Sequence, residues 1–184
     1  MAVFLLTSAF FLRGVFLALA LPYGDPLDEP FHYGYASYLA TTCLVPRAGV
    51  ASMPADALRP MARLPRSTSF GGPHPSWKDF ASETPRERAA DREEAFAFRP
   101  GERAAFVTAN YETQQPPLAY LPAAGILRLF PRAALDRRLA LLRLFSALAA
   151  ASAVPLVWLF FRRLLARSAA LAATAAFVAF PGVG

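Results

Sequence analysis

The stretch LALLRLFSALAAASAVPLVWLFF, residues 139 to 161, decides how this chain is read. It carries one charge, Arg143, and is long enough to span a bilayer, which takes about 20 mostly apolar residues. Pro155 falls inside it, and neighbouring helices satisfy the backbone groups that a membrane proline frees. A secreted domain would not keep such a run, so the spacing predicts a membrane helix over 139–161.

A second run lies at the other end, MAVFLLTSAFFLRGVFLALALP, residues 1 to 22. Ala18-Leu19-Ala20 resembles a signal-peptide cleavage site, yet the run lacks a basic start and has Arg13 inside its apolar core. The expectation is a retained helix. An arginine at mid-membrane costs about 2.5–3.5 kcal/mol on insertion scales, so Arg13 should face protein rather than lipid. A third run, SAALAATAAFVAFPGVG, residues 168 to 184, reads as the start of another membrane helix, and the chain as a C-terminally truncated piece of a longer protein.

Between the second and third runs, residues 162–167 carry Arg162, Arg163 and Arg167. The positive-inside rule puts this short turn on the cytoplasmic side. Residues 23–138 are then extracytoplasmic. Arg132, Arg137 and Arg138 flank the other end of the same helix, but long loops translocate largely regardless of charge. The expected fold is an all-α membrane protein with a long first extracytoplasmic loop containing short amphipathic helices.

Composition agrees. The 184 residues are 55% hydrophobic, with a mean hydropathy of +0.33, while 17% are charged, a mixture that suits membrane segments joined by a polar part. The net charge of +6 comes mostly from arginines beside apolar runs. No nucleic-acid motif accompanies it, so the basic balance points to membrane lipid and no nucleic acid is expected as a partner. Cys43 is the only cysteine, which excludes an intramolecular disulfide and a cysteine metal centre.

Within the polar section, PRAGVASMPADALRPMARLPRSTSFGGPHPSW (46–77) is broken by Pro and Gly and reads as a long loop. TPRERAADREEAFAF (84–98) reads as a surface helix, with Thr84 as N-cap, Pro85 in the first turn and Glu87 completing a capping box. PPLAYLPAAGILRLF (116–130) is apolar but too short to span, and suits an interfacial or re-entrant helix.

Two stretches carry groups able to do chemistry. GDPLDEPFHYGYASYLA (24–40) packs Asp25, Asp28, Glu29 and His32 beside the first apolar run. Pro30 suits a first helical turn, with Asp28 or Glu29 as N-cap and Asp25 in the turn leading in. Asp28, His32 and Tyr35 then lie at i, i+4 and i+7, roughly one face. Acidic residues at a helix start are commonly caps. Two carboxylates with a histidine one turn on could equally take a proton from a hydroxyl or hold a divalent cation. Asp-Glu-x-x-His is not the two-histidine zinc pattern, so it names no particular metal. The second stretch, NYETQQPPLAY (110–120), offers Glu112, Gln114 and Gln115 before two prolines. Amides there could hydrogen-bond sugar hydroxyls or phosphate, and Tyr111 and Tyr120 could stack on a sugar or anchor at the interface.

Taken in order, a membrane helix, LDEPFHYGYASYLA, a long loop, YETQQPPLAYL, LRLFSAL and a further helix pair resemble the N-terminal part of integral-membrane glycosyltransferases of the C-type superfamily. The likeness is to bacterial lipid-carrier-dependent enzymes related to protein O-mannosyltransferases and aminoarabinose transferases. The Asp-Glu pair and the Gln-Pro-Pro-Leu-x-Tyr stretch carry it; residues 46 to 105 contribute nothing. The family's chains are several times longer, with more membrane helices. The resemblance implies Asp28 as catalytic base toward an acceptor hydroxyl, Glu29 as its acidic partner, and His32 and Tyr35 lining the same face. It implies that Glu112, Gln114 and Gln115 shape the sugar or acceptor pocket, and that Arg138 and Arg143 are candidates for a carrier phosphate. The implied donor is a polyprenyl-phosphate-linked sugar, and the acceptor a glycan, lipid or protein. A divalent cation is a possible cofactor, and the bacterial inner membrane the expected location. The competing reading is a non-enzymatic polytopic membrane protein, a transporter or scaffold subunit, whose acidic motif caps a helix or binds an ion.

Overall fold

The computed structural model describes residues 1–24, 28–65 and 74–179; Asp25 and the last five residues of the third apolar run lie outside them. The chain is predominantly helical and divides into two compact units. One comprises Met1–Ala20 and the chain from Ala140 onward, the other Leu21–Leu139.

The first unit contains α1 (Ala2–Ala20), most of α8 (Leu135–Leu164) and α9 (Arg167–Ala179). α1 and α8 are each long and apolar enough to cross a membrane. Phe10, Ala151 and Val154 form a small buried cluster flanked by Leu6, Phe11 and Val178. Large apolar side chains such as Phe16 (68% exposed) and Phe160 (60%) point outward, as lipid-facing residues would. Gly14 lets α1 approach α8, since a Cβ there would stand 2.9 Å from the Cβ of Ala147. Arg13 reaches across to donate to the Val178 carbonyl at 3.3 Å, and Arg143 donates to that of Ala18 at 2.9 Å. Both arginines inside apolar runs therefore meet backbone of the same unit.

The boundaries differ from the sequence reading. α8 begins at Leu135 and ends at Leu164 rather than spanning 139–161, because Asp136, Arg137 and the arginines at its end are helix-compatible although polar. The expected 162–167 turn shrinks to the two residues between Leu164 and Arg167.

The second unit is built on α2 (Glu29–Thr42). α3 (Ala55–Arg63) and α7 (Leu121–Leu129) pack on it, α5 (Pro85–Phe96) and α6 (Pro100–Ala104) pack on α3, and the unit also holds α4 (Trp77–Ser82). The all-α expectation holds, with one small sheet added: β1 (Ala51–Pro54) pairs antiparallel with β2 (Phe106–Ala109), with an irregular register. The 46–77 segment is thus not one long loop, since it holds β1 and α3. A four-residue strand whose partner lies some fifty residues on leaves no local signature, and Pro60 hides the helical pattern of α3. The capping box of α5 is present, with Thr84 accepting from the Glu87 amide and Glu87 accepting from that of Thr84.

Gly34 sets the contact between α2 and the sheet. A Cβ there would collide with the Met53 sulfur of β1 and come within 3.2 Å of Asn110 Nδ2. The missing side chain lets the β2 exit approach α2, which places the segment after Asn110 over the start of that helix.

Candidate functional site

Asp28 occupies the N-cap position of α2, yet its side chain makes no capping hydrogen bond and its backbone is already helical. Its carbonyl accepts from the amides of Phe31 and His32, and its carboxylate accepts from the Tyr111 hydroxyl instead. The pure cap reading therefore fails for the residue on which it mattered most.

Tyr111 opens a 3₁₀ turn, Tyr111–Gln114, that Asn110 fastens to α2. Asn110 is 2% exposed; its Nδ2 donates to the Phe31 carbonyl at 2.7 Å and its Oδ1 accepts from the Glu112 amide at 3.0 Å. The Tyr111 ring packs on Phe31, with centroids 4.4 Å apart. This clamp brings Glu112 to His32, with 3.8 Å between Oε2 and Nδ1. Glu112 is 5% exposed, and its Oε2 is buried without a hydrogen-bond partner among the described residues.

Asp28, His32 and Glu112 each offer a ligand atom within 4.8 Å of the others. Two ligands of one ion at 2.0–2.6 Å each lie no more than about 4–5 Å apart, so the group fits a divalent cation. One imidazole and two carboxylates suit Zn²⁺ or Mn²⁺ better than Ca²⁺.

The second layer is aromatic. A 3₁₀ turn, Pro117–Tyr120, delivers the Tyr120 hydroxyl 2.7 Å from His32 Nδ1, and the Tyr120 ring stacks on Tyr35 with centroids 4.0 Å apart. Burial, then the Glu112 charge, pushes the Tyr120 hydroxyl up to about 12. Burial and the Asp28 hydrogen bond raise Tyr111 as well, and burial raises Tyr35. All three phenols keep their protons at neutral pH. Two tautomers of His32 follow. With Nδ1–H donated to Tyr120, Nε2 offers a lone pair to a cation; with Nδ1 accepting, Nε2–H is a donor for a ligand.

The structure brings together Asp28, His32 and Glu112, with Tyr35 one ring away. Glu29 is not among these converging groups: its Oε2 accepts from the Gly24 amide at 3.3 Å. Gln115 contributes its backbone carbonyl, which accepts from the Tyr35 hydroxyl at 3.1 Å, while its side chain and that of Gln114 are exposed. Arg138 is buried against Tyr33 and the Leu127 carbonyl, and Arg143 belongs to the other unit. Sequence reasoning missed Asn110 as the clamp. The available signal was its place as the last polar residue before an acid and two prolines, where a side chain can cap a turn. The two tyrosines were noted, but as stacking or anchoring groups, not as partners of Asp28 and His32.

No protein-family model, curated protein or solved structure matches the chain. A functional reading therefore stands on these residues and their geometry.

Proposed function

We propose that the chain is part of a membrane-embedded glycosyltransferase, with α1 and α8 crossing the bilayer and the Asp28 cluster on its extracytoplasmic side. The observation that carries this reading is the convergence of Asp28, His32 and Glu112, from segments about eighty residues apart, in a part joined to two spanning-length apolar helices. Acid–base chemistry at a carbohydrate hydroxyl needs an ionised carboxylate held in place. Tyr111 holds Asp28 by Oδ1, which leaves Oδ2 to take the proton.

The acceptor hydroxyl loses its proton to Asp28 as its oxygen bonds to the anomeric carbon. The bond from that carbon to the carrier phosphate breaks, and polyprenyl phosphate departs with the electron pair. Direct displacement inverts the anomeric configuration. A divalent cation at His32 and Glu112 would supply positive charge for the phosphate oxygens. Tyr35 and Tyr120, buried and stacked on each other, back the cluster and hold His32 in place.

A second reading uses the same cluster as a cation site in a non-enzymatic membrane protein, which three converging ligands and a buried carboxylate oxygen with no hydrogen bond among the described residues also favour. Membranes carrying the full-length protein separate the two. Incubated with polyprenyl-phosphate-linked sugars, they should consume donor and release polyprenyl phosphate faster than control membranes. Cation binding without donor consumption would leave the second reading standing and the first refuted.

A further inference from the structure

Another side of α2 leads to a different site. At about 100° per residue, Tyr33 and Ala40 are turned about 120–140° around the helix from Asp28 and about 80–100° from His32, and Ala40 lies two turns further along it. Beyond them, within the Leu21–Leu139 unit, lies a cavity of about 310 Å³. Its walls include Thr41, Phe98, Arg103, Leu127, Arg128 and Arg138.

Two of these arginines are buried, Arg103 at 7% and Arg138 at 2% exposure. Arg103 Nε pairs with buried Asp56 at 2.8 Å, and its Nη1 donates to the carbonyls of Pro131 and Ala133. Arg138 Nη1 donates to the Tyr33 hydroxyl at 3.0 Å and Nη2 to the Leu127 carbonyl at 3.5 Å, both neutral partners. Burial, with the Asp56 charge next, pushes Tyr33 up to about 12, so it supplies no negative charge at neutral pH. Arg103 Nη2 and Arg138 Nε are buried donors without a partner among the described residues. Arg128, exposed at the rim, donates from Nε to the Ala40 carbonyl at the end of α2.

Arg103 is paired with Asp56, so among the described residues the buried charge without an anionic partner is that of Arg138, and exposed Arg128 adds a second positive charge at the rim. Buried charge without compensation is strongly unfavourable, and an orphaned donor adds to the cost. An oxyanion relieves both, and the planar arginine fork matches phosphate geometry. The excess of two charges matches a phosphate monoester dianion. Phe98 and Leu127 give the cavity an apolar side, and its volume leaves room for the organic group that a monoester carries.

We propose that this cavity binds a phosphate monoester group, at a site separate from the Asp28 cluster. The proposal does not rest on the sugar-transfer reading. The ligand is either a soluble phosphate compound or the headgroup of a membrane lipid, and the experiment distinguishes them.

Thermal unfolding of the full chain is followed while inorganic phosphate is titrated at constant ionic strength. It is followed in parallel in nanodiscs of phosphatidylcholine with and without phosphatidic acid. A saturable rise in melting temperature with inorganic phosphate supports a soluble ligand; a rise only with phosphatidic acid supports a lipid headgroup. In either case Arg128→Gln, at an exposed position, should weaken the response about tenfold, the worth of one charge-assisted contact. Arg138→Lys, which keeps the charge and loses the fork, should weaken it too, while Asp28→Asn should leave it unchanged. A response absent in both arms, or undiminished in Arg128→Gln and Arg138→Lys, would overturn the proposal. Loss of the response in Asp28→Asn would overturn the separation of the two sites.

Discussion

Replacing Asn110 by alanine should loosen the unit that carries the Asp28 cluster. The side chain is 2% exposed and makes hydrogen bonds of 2.7 and 3.0 Å, one to α2 and one to the turn bearing Glu112. Each bond is worth about 0.5–1.5 kcal/mol net, and the Glu112 amide left unpaired adds a penalty of about 1–3 kcal/mol. The Phe31 carbonyl has a second lone pair in use within the helix, so its loss is smaller. Together the change should cost about 2–4 kcal/mol. At about 2–4 °C per kcal/mol for a chain of this size, melting in detergent, followed by circular dichroism, should fall by about 5–15 °C. Asn110→Asp keeps the acceptor for the Glu112 amide but sets an oxygen against the Phe31 carbonyl, and should lose at least as much. A melting point within about 2 °C of the parent for Asn110→Ala would refute the clamp.

Three further outcomes follow from the same geometry. Mn²⁺ or Zn²⁺ should raise the melting temperature, and Glu112→Gln should weaken that effect roughly tenfold or more in titrations, since even outer-shell changes cost that much; equal titrations for parent and variant would remove Glu112 from the site. Tyr120 is raised from 10.0 to about 12 in the folded protein, so the folded state holds this proton more tightly than the unfolded one. Its contribution to stability is whole below pH 10 and disappears as pH climbs through about 12; Tyr120→Phe should flatten that part of the alkaline loss in pH-dependent melts, and an unchanged alkaline limb would contradict the assignment. With Cys43 changed to serine, a cysteine at exposed Glu93 on α5 should react with an impermeant maleimide on intact cells. Labelling only after lysis would reverse the orientation.

What was legible in the sequence was local. Arg13 and Arg143 stood out as charges inside apolar runs, and the expectation that Arg13 needs a protein partner matches its bond to Val178. The Thr84 capping box could be read because both of its halves lie within four residues. Asp28 and His32 could be placed together from helical spacing alone, one turn apart. What was not legible depends on pairs far apart in the chain. His32 meets Tyr120, and Arg103 meets Asp56, through packing that no short window contains. The adjacency of Glu29 to Asp28 suggested a pair, but on a helix consecutive residues diverge by about 100°, and Glu112 is the second carboxylate found beside Asp28 and His32. The two strands escaped notice for a similar reason, each being only four residues long and steadied by the other.

The most direct measurement compares the full-length protein with its Asp28→Asn variant in membranes supplied with polyprenyl-phosphate-linked sugar, following release of polyprenyl phosphate. Asparagine preserves the shape at the Tyr111 contact and removes the base. The account predicts normal insertion of the variant and loss of donor consumption, by about a hundredfold or more on the usual scale for a positioned general base. Consumption at the parent rate by the inserted variant would contradict it.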